Sequence, residues 1–276
     1  MLDMLSRPKN GAMQFDVVEI TPSIAESWLT KNSKNRKKNA RFVSRFARDM
    51  KSGDWQITGD SIKFDKAGNL VDGQHRLSAC IESAVSFRSL VVYGLTPGTR
   101  DVVDTGKPRT NGDMLAMHGQ TNSIALAAAL KFLINEKRSY QFSVPATHSE
   151  LLDALVRHPN INLYIPPAGM LPKGVSQFLV GYVNYVGQTL LHNKKSRAIA
   201  MVDVLKTGRP DYDGDPIHAY RERMIRSIVE KNANRRSINF NTFKHCWNLF
   251  AKREPLKSLK FLKSSVDIEG LDLDKL

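Results

Sequence analysis

The chain has 276 residues, 41% hydrophobic and 25% charged, enough for a substantial core and a length that fits one large domain or two small ones. Its 41 Lys and Arg against 27 Asp and Glu leave a net formal charge of +14, which favours polyanionic partners. Cys80 and Cys246 lie in apolar helical patterns without metal-ligand spacing, no segment reaches membrane-span length, and Met1 to Gly11 lacks a signal-peptide core, so a reduced, cytoplasmic protein without a membrane partner is expected.

In chain order, Phe15 to Ile20 has the pattern of a short strand. Thr21-Pro22 then supplies an N-cap and a first-turn proline for a helix with Ile24, Trp28 and Leu29 on one face. Lys31 to Lys38 is polar and basic, with Asn35-Arg36 near its middle. From Asn39 to Met50, Phe42, Val43, Phe46, Ala47 and Met50 fall on one side of a helix and Arg41, Arg45 and Arg48 on another. Such a basic face suits phosphates, or solvent alone.

Ile62 and Phe64 alternate with polar residues, Gly68-Asn69 can turn, and Leu70-Val71 resumes the extended pattern, which reads as a hairpin. Asp72-Gly73 breaks the strand, and Leu77, Ala79-Cys80-Ile81 and Ala84 give the following helix an apolar stripe. Asp72, Gly73, Gln74, His75 and Arg76 thus cluster where the first amides of a helix lack partners, a geometry suited to an anion such as phosphate. The alternative is a polar hairpin exit with a capped helix. Phe87 to Tyr93 is a further strand, closed by Gly94 and Pro97-Gly98. In Asp104-Thr105-Gly106-Lys107-Pro108-Arg109-Thr110, glycine permits close approach while Lys107 and Arg109 can neutralise phosphate oxygens. The segment lacks the Gly-Lys-Ser/Thr ending of a P-loop, and its one acid makes no metal site.

From Gly112 onward the pattern becomes helical: Ser123 to Ile134, His148 to His158 behind a capping-box spacing, Val175 to Leu191, Ser196 to Leu205 and Pro216 to Val229. The expected architecture is α+β, with a small mixed-sheet domain over 13–110 and a mainly helical domain over 111–276. Toward the end, Arg223, Arg226, Arg235 and Arg236 form a second basic stretch beside Phe240, Phe243, Trp247 and Phe250. Exposed aromatics can stack on bases, but the helical spacing of Phe243, Trp247 and Phe250 assigns them to a core.

Val71-Asp72-Gly73-Gln74-His75-Arg76-Leu77-Ser78-Ala79 resembles the signature of DGQHR-motif proteins in the ParB and sulfiredoxin-like superfamily, in forms common to phage and mobile-element genomes. The resemblance spans roughly Phe15 to Thr110. It implies a small ParB/sulfiredoxin-like amino-terminal fold in which the glycine-centred segment takes part in binding CTP, ATP or ADP, with His75 and Arg76 near the phosphates. By the same transfer Gly73, Gln74, Lys107 and Arg109 complete a nucleotide site, and Mg2+ is expected if the nucleotide is a triphosphate. Gln74 departs from both branches: sulfiredoxin-like members carry a cysteine in this turn and ParB-like switches an acid. Sulfinyl reduction is therefore not expected, and Gln74 cannot act as a carboxylate base.

Three functions follow as expectations. The first is a DNA-associated ParB-like protein with a nucleotide-binding or weak NTPase site, acting in phage DNA processing or regulation, with oligomerisation open. In it Asp72, His75 and Arg76 are the candidate catalytic residues, and Arg41, Arg45, Arg48, Arg223, Arg226, Arg235 and Arg236 the candidate DNA contacts. The second is a phosphoryl-transfer or nuclease enzyme acting on DNA, for which no nucleophile, base and metal triad is apparent. The third is a non-catalytic DNA- or protein-binding scaffold, whose affinity depends on salt and not on nucleotide.

Overall fold

The computed structural model describes residues 13–32, 35, 38–96, 99, 109–138, 145–230 and 236–276, without the side chains of residues 229 and 236–238. Internal contacts divide the chain into two compact units, Met1–Pro108 with Ser143–Ser149, and Arg109–Phe142 with Glu150–Leu276.

Among its described residues the first unit holds a four-stranded mixed sheet and three helices: β1 (Gln14–Ile20), α1 (Pro22–Leu29), α2 (Ala40–Lys51), β2 (Ser61–Asp65), β3 (Leu70–Asp72), α3 (Gln74–Ser83) and β4 (Phe87–Leu95). Local chemistry sets most of the boundaries. The Thr21 hydroxyl accepts from the Ile24 amide at 3.3 Å with Pro22 opening α1, and the Asn39 side chain accepts from Arg41 N at 3.0 Å to open α2. In the β2–β3 hairpin the Asp65 carboxylate accepts from the Asn69 amide at 2.8 Å, while Gly68 takes φ +81°.

The sheet order is β1-β4-β2-β3. β4 pairs antiparallel with β1 and parallel with β2, so β3 and α3 form the crossover between two parallel neighbours. Ile20, Phe87, Val91, Ile62 and Phe64 from the sheet join Ala25 and Trp28 of α1, Val43, Ala47 and Met50 of α2, and Leu77, Ala79 and Cys80 of α3 in one buried cluster. In β1 the residues Gln14 to Val17 are exposed on both faces, and only Val18 and Ile20 turn into this cluster. The crossover brings the amino terminus of α3 to the end of the short strand β3, which places the Asp72 to Arg76 segment.

Among its described residues the second unit is all helical: α4 (Asn111–Met117), α5 (Ser123–Lys137), α6 (His148–Arg157), α7 (Gln177–Tyr185) running into a π turn (Val186–Leu190), α8 (Lys195–Thr207), α9 (Pro216–Val229) and α10 (Arg236–Lys252), with two short 3-10 turns. Phe240, Phe243, Trp247 and Phe250 are buried, so the aromatic series builds a core. At the π turn the Gly187 backbone approaches the Trp247 ring and Ala198, and a Cβ there would lie within 3 Å of both. The same core encloses an ion pair: Lys244 and Glu136 are 0% and 1% exposed, with Nζ 3.2 Å from Oε1 and 4.3 Å from the Phe240 ring centroid. Burial outweighs the pull of Glu136 and lowers the Lys244 pKa to about 8. No helix of the described residues is long and apolar enough to cross a membrane.

Candidate site at the turn from β3 to α3

Gly73 makes the turn possible. It is the N-cap of α3 at φ +106°, a left-handed conformation that side chains resist, and a Cβ built on it would stand 2.4 Å from Ile62 Cδ1. With glycine there, the N-cap position itself has no side chain to cap the helix. Asp72 stands just before the cap. Its Oδ1 accepts from the Gly73 amide at 2.6 Å, and its Oδ2 is 2.8 Å from Lys63 Nζ and 3.3 Å from Arg76 Nη2. One carboxylate between two cations leaves this corner net positive.

The neighbouring side chains are built into the protein. Arg76 donates through Nη1 to the Asp60 carbonyl and through Nη2 to the Ser61 carbonyl, each at 2.8 Å, and so fastens α3 to the entry of β2. Gln74 is buried, and its Oε1 accepts from Asn32 Nδ2 at 3.1 Å. Asn35 extends the chain of amides, donating to Asn32 Oδ1 at 2.6 Å and to the Leu70 carbonyl at 2.9 Å. His75 accepts the Asn39 amide on Nε2 at 3.0 Å, an arrangement that requires an unprotonated Nε2 and places the neutral ring's proton on Nδ1. Together these contacts hold Asn32, Asn35 and Asn39 against the end of β3 and the start of α3.

The structure thus brings Asp72, Gly73, Gln74, His75 and Arg76 together. Lys107 lies outside the described residues. Arg109 is exposed and belongs to the second unit. Lys63 joins the cluster although the strand pattern assigns it no role; its signal is the cross-strand register Lys63↔Asp72 of the hairpin. Asn32 and Asn39 are further additions, legible only as the asparagines that flank a basic stretch. Cys80 is buried with its thiol pKa raised to about 11, so it offers no nucleophile to the turn. Among the described residues no group of three or more His, Cys, Asp or Glu side chains is placed to hold a metal ion.

The arginines do not form uniform faces. On α2, Arg41 is exposed, Arg45 lies 5.2 and 5.0 Å from the Phe42 and Phe46 ring centroids, and Arg48 donates to the Ser44 and Pro145 carbonyls. Burial lowers the Arg45 pKa from its ordinary value, with Asp49 acting in the opposite direction. On α9, Arg223 pairs with Glu230 at 3.1 Å and lies over Phe261, whereas Arg226 is exposed. Arg235 and the Arg236 side chain fall outside the described residues.

No family model, no curated protein and no solved structure matches this chain. The resemblance centred on Val71 to Ala79 rests on the sequence alone.

Proposed function

We propose that the chain is a DNA-associated protein whose first unit is a ParB/sulfiredoxin-like module that binds a nucleotide through its phosphates at the amino terminus of α3. The observation that carries this proposal is the corner at Gly73: α3 begins on a left-handed glycine that has no side chain to cap it, beside Lys63 and Arg76, which exceed Asp72 by one charge. Amides at a helix start, backed by the helix dipole, are a general phosphate receptor. The net charge of +14 supports association with nucleic acid.

Binding is favoured over turnover. A general base must reach the proton it takes, and the Asp72 carboxylate and His75 Nε2 are held on partners within the protein. Asp72 is also a poor start for a magnesium site, being bridged to two cations, and no step is assigned to a metal.

Equilibrium dialysis of the full chain against ATP, CTP, GTP and UTP, with and without Mg2+, tests the proposal. Saturable binding of at least one nucleotide, weakened in Lys63→Gln, is expected. No binding of any of them overturns it. Arg76→Ala is a poor probe, because that side chain fastens β2 to α3.

The commitment of Asp72, His75 and Arg76 to internal bonds favours a second reading, in which the motif builds a scaffold that contacts DNA or protein without nucleotide. DNA affinity that is indifferent to every nucleotide, in a chain that binds none, would select it.

A further inference from the structure

Beyond α10 the chain runs from Glu254 to Ile268 as a strap without helix or strand, tied back onto the second unit. The Leu256 amide donates to the Gly214 carbonyl at 2.8 Å, just ahead of α9. The Leu262 amide donates to the Thr242 hydroxyl of α10 at 3.0 Å, and Asn248 of α10 donates to the Asp267 carbonyl at 2.7 Å. Exposure along the strap has a period of three: Leu256, Leu259 and Leu262 are part-buried, and the residue after each, Lys257, Lys260 and Lys263, is exposed. No acid occurs from Pro255 to Val266, and none of these lysines has an ion-pair partner among the described residues. The basic side of α9 meets the same strap. Arg223 lies 5.4 Å from the Phe261 ring centroid, and Arg226, three positions on and so on the same helix face, is exposed. Glu230 pairs with Arg223 and offsets one of these five charges.

Lysines carried on a backbone that is already tied down suit a partner whose own charges come in a row, since little freedom of the chain is lost on contact. The polar residues exposed beside them, Ser258, Ser264 and Ser265, can donate to phosphate oxygens. The exposed set of the strap holds no leucine to insert into a bilayer and no aromatic ring to stack on an unpaired base; its one aromatic, Phe261, is part-buried against Arg223. Resting on the DNA association proposed above, we infer that Lys257, Lys260 and Lys263, with Arg223 and Arg226, form a contact for the phosphate backbone of duplex DNA. Contacts to phosphate carry no base information, so this surface binds unrelated sequences alike.

The test follows fluorescence anisotropy of two duplexes of unrelated sequence and of an oligothymidylate across a salt series, with co-sedimentation on phosphatidylserine vesicles alongside, all with full chains. Wild type is compared with Lys257→Gln, Lys260→Gln and Lys263→Gln combined, and with the three Lys→Arg changes combined. A control, Lys173→Gln, Lys195→Gln and Lys206→Gln combined, removes the same charge from exposed lysines elsewhere in the second unit. Loss of three phosphate contacts should weaken both duplexes at least about tenfold near 0.1 M salt and flatten the log-log salt slope by about 2 to 3. The arginine variant should bind as wild type does, and the control should keep the wild-type slope. Equal losses in the glutamine variant and the control overturn the inference, since total charge would then be the cause, and so does a loss in the arginine variant, which would mark an effect on the fold. It is also overturned if vesicle or oligothymidylate binding falls in the glutamine variant while duplex binding holds. If wild type binds duplex and the glutamine variant binds it equally well, the strap fails and the DNA association stands; if wild type binds no duplex even at low salt, both fall.

Discussion

At Gly73 a single missing methyl carries two requirements. Alanine there would hold a left-handed backbone, at about 1 to 2 kcal/mol, and would drive a Cβ into Ile62, which is buried and hemmed in by the sheet core. Overpacking of that kind costs about 1 to 3 kcal/mol. Gly73→Ala should therefore lower the stability of the first unit by at least about 2 kcal/mol in urea denaturation, and a neutral result would mean that the turn relaxes. Arg76 makes a different prediction. Its two donors reach backbone carbonyls of the entry to β2, so Arg76→Ala should destabilise by about 1 to 3 kcal/mol through carbonyls left without their partner. Lysine, with one nitrogen in place of a planar fork, should recover only part of it.

The Asp72 to Arg76 segment was legible as a cluster because its members are consecutive. What each one touches was not. Lys63 reaches Asp72 across a hairpin, and Asn32 reaches Gln74 over 42 positions, which is a matter of strand register and loop path. A motif names residues, whereas the assignment of Arg76 to a carbonyl or to a phosphate is decided by the chain around it.

Among elements, the hairpin, the strand before Thr21 and the strand after α3 were readable, since alternation and turn residues agree at each of them. α4 was harder: seven residues hold too little of a stripe, and only the Thr110 and Asp113 capping box marks its start. In α10 the aromatic positions were readable as core from spacing. Lys244 on the same buried face was not, because its partner Glu136 lies on α5, 108 positions away. That pair gives an element-scale prediction. Glu136→Leu removes the carboxylate that faces the buried Lys244 ammonium and should cost about 3 to 5 kcal/mol, while adding Lys244→Met to it should recover most of the loss. A double-mutant cycle by chemical denaturation reads both. An equal loss in the single and the double variant would show that packing, and not charge, dominates there.

At the scale of the whole molecule, the net charge predicts attraction to polyanions, and the structure sorts the arginines that can express it. Arg41 and Arg226 are exposed, while Arg48 bonds backbone carbonyls and Arg223 pairs with Glu230. If duplex DNA binds these surfaces, Arg41→Ala and Arg226→Ala should each lower affinity for unrelated sequences and flatten the log-log salt slope by about 0.9 per phosphate contact removed. Arg48→Ala should act mainly on stability. Fluorescence anisotropy across a salt series gives the slopes, and identical slopes in wild type and both variants would remove these two residues from the DNA surface.

The proposed role of the turn from β3 to α3 is to receive the phosphates of a nucleotide. Calorimetric titration of the intact chain with the four common nucleoside triphosphates, alongside Lys63→Gln at matched stability, tests it most directly. Saturable binding of at least one of them to wild type, and a weaker titration in the variant, are expected. Absence of heat and of saturation with all four, with and without Mg2+, in protein shown to be folded, would contradict it.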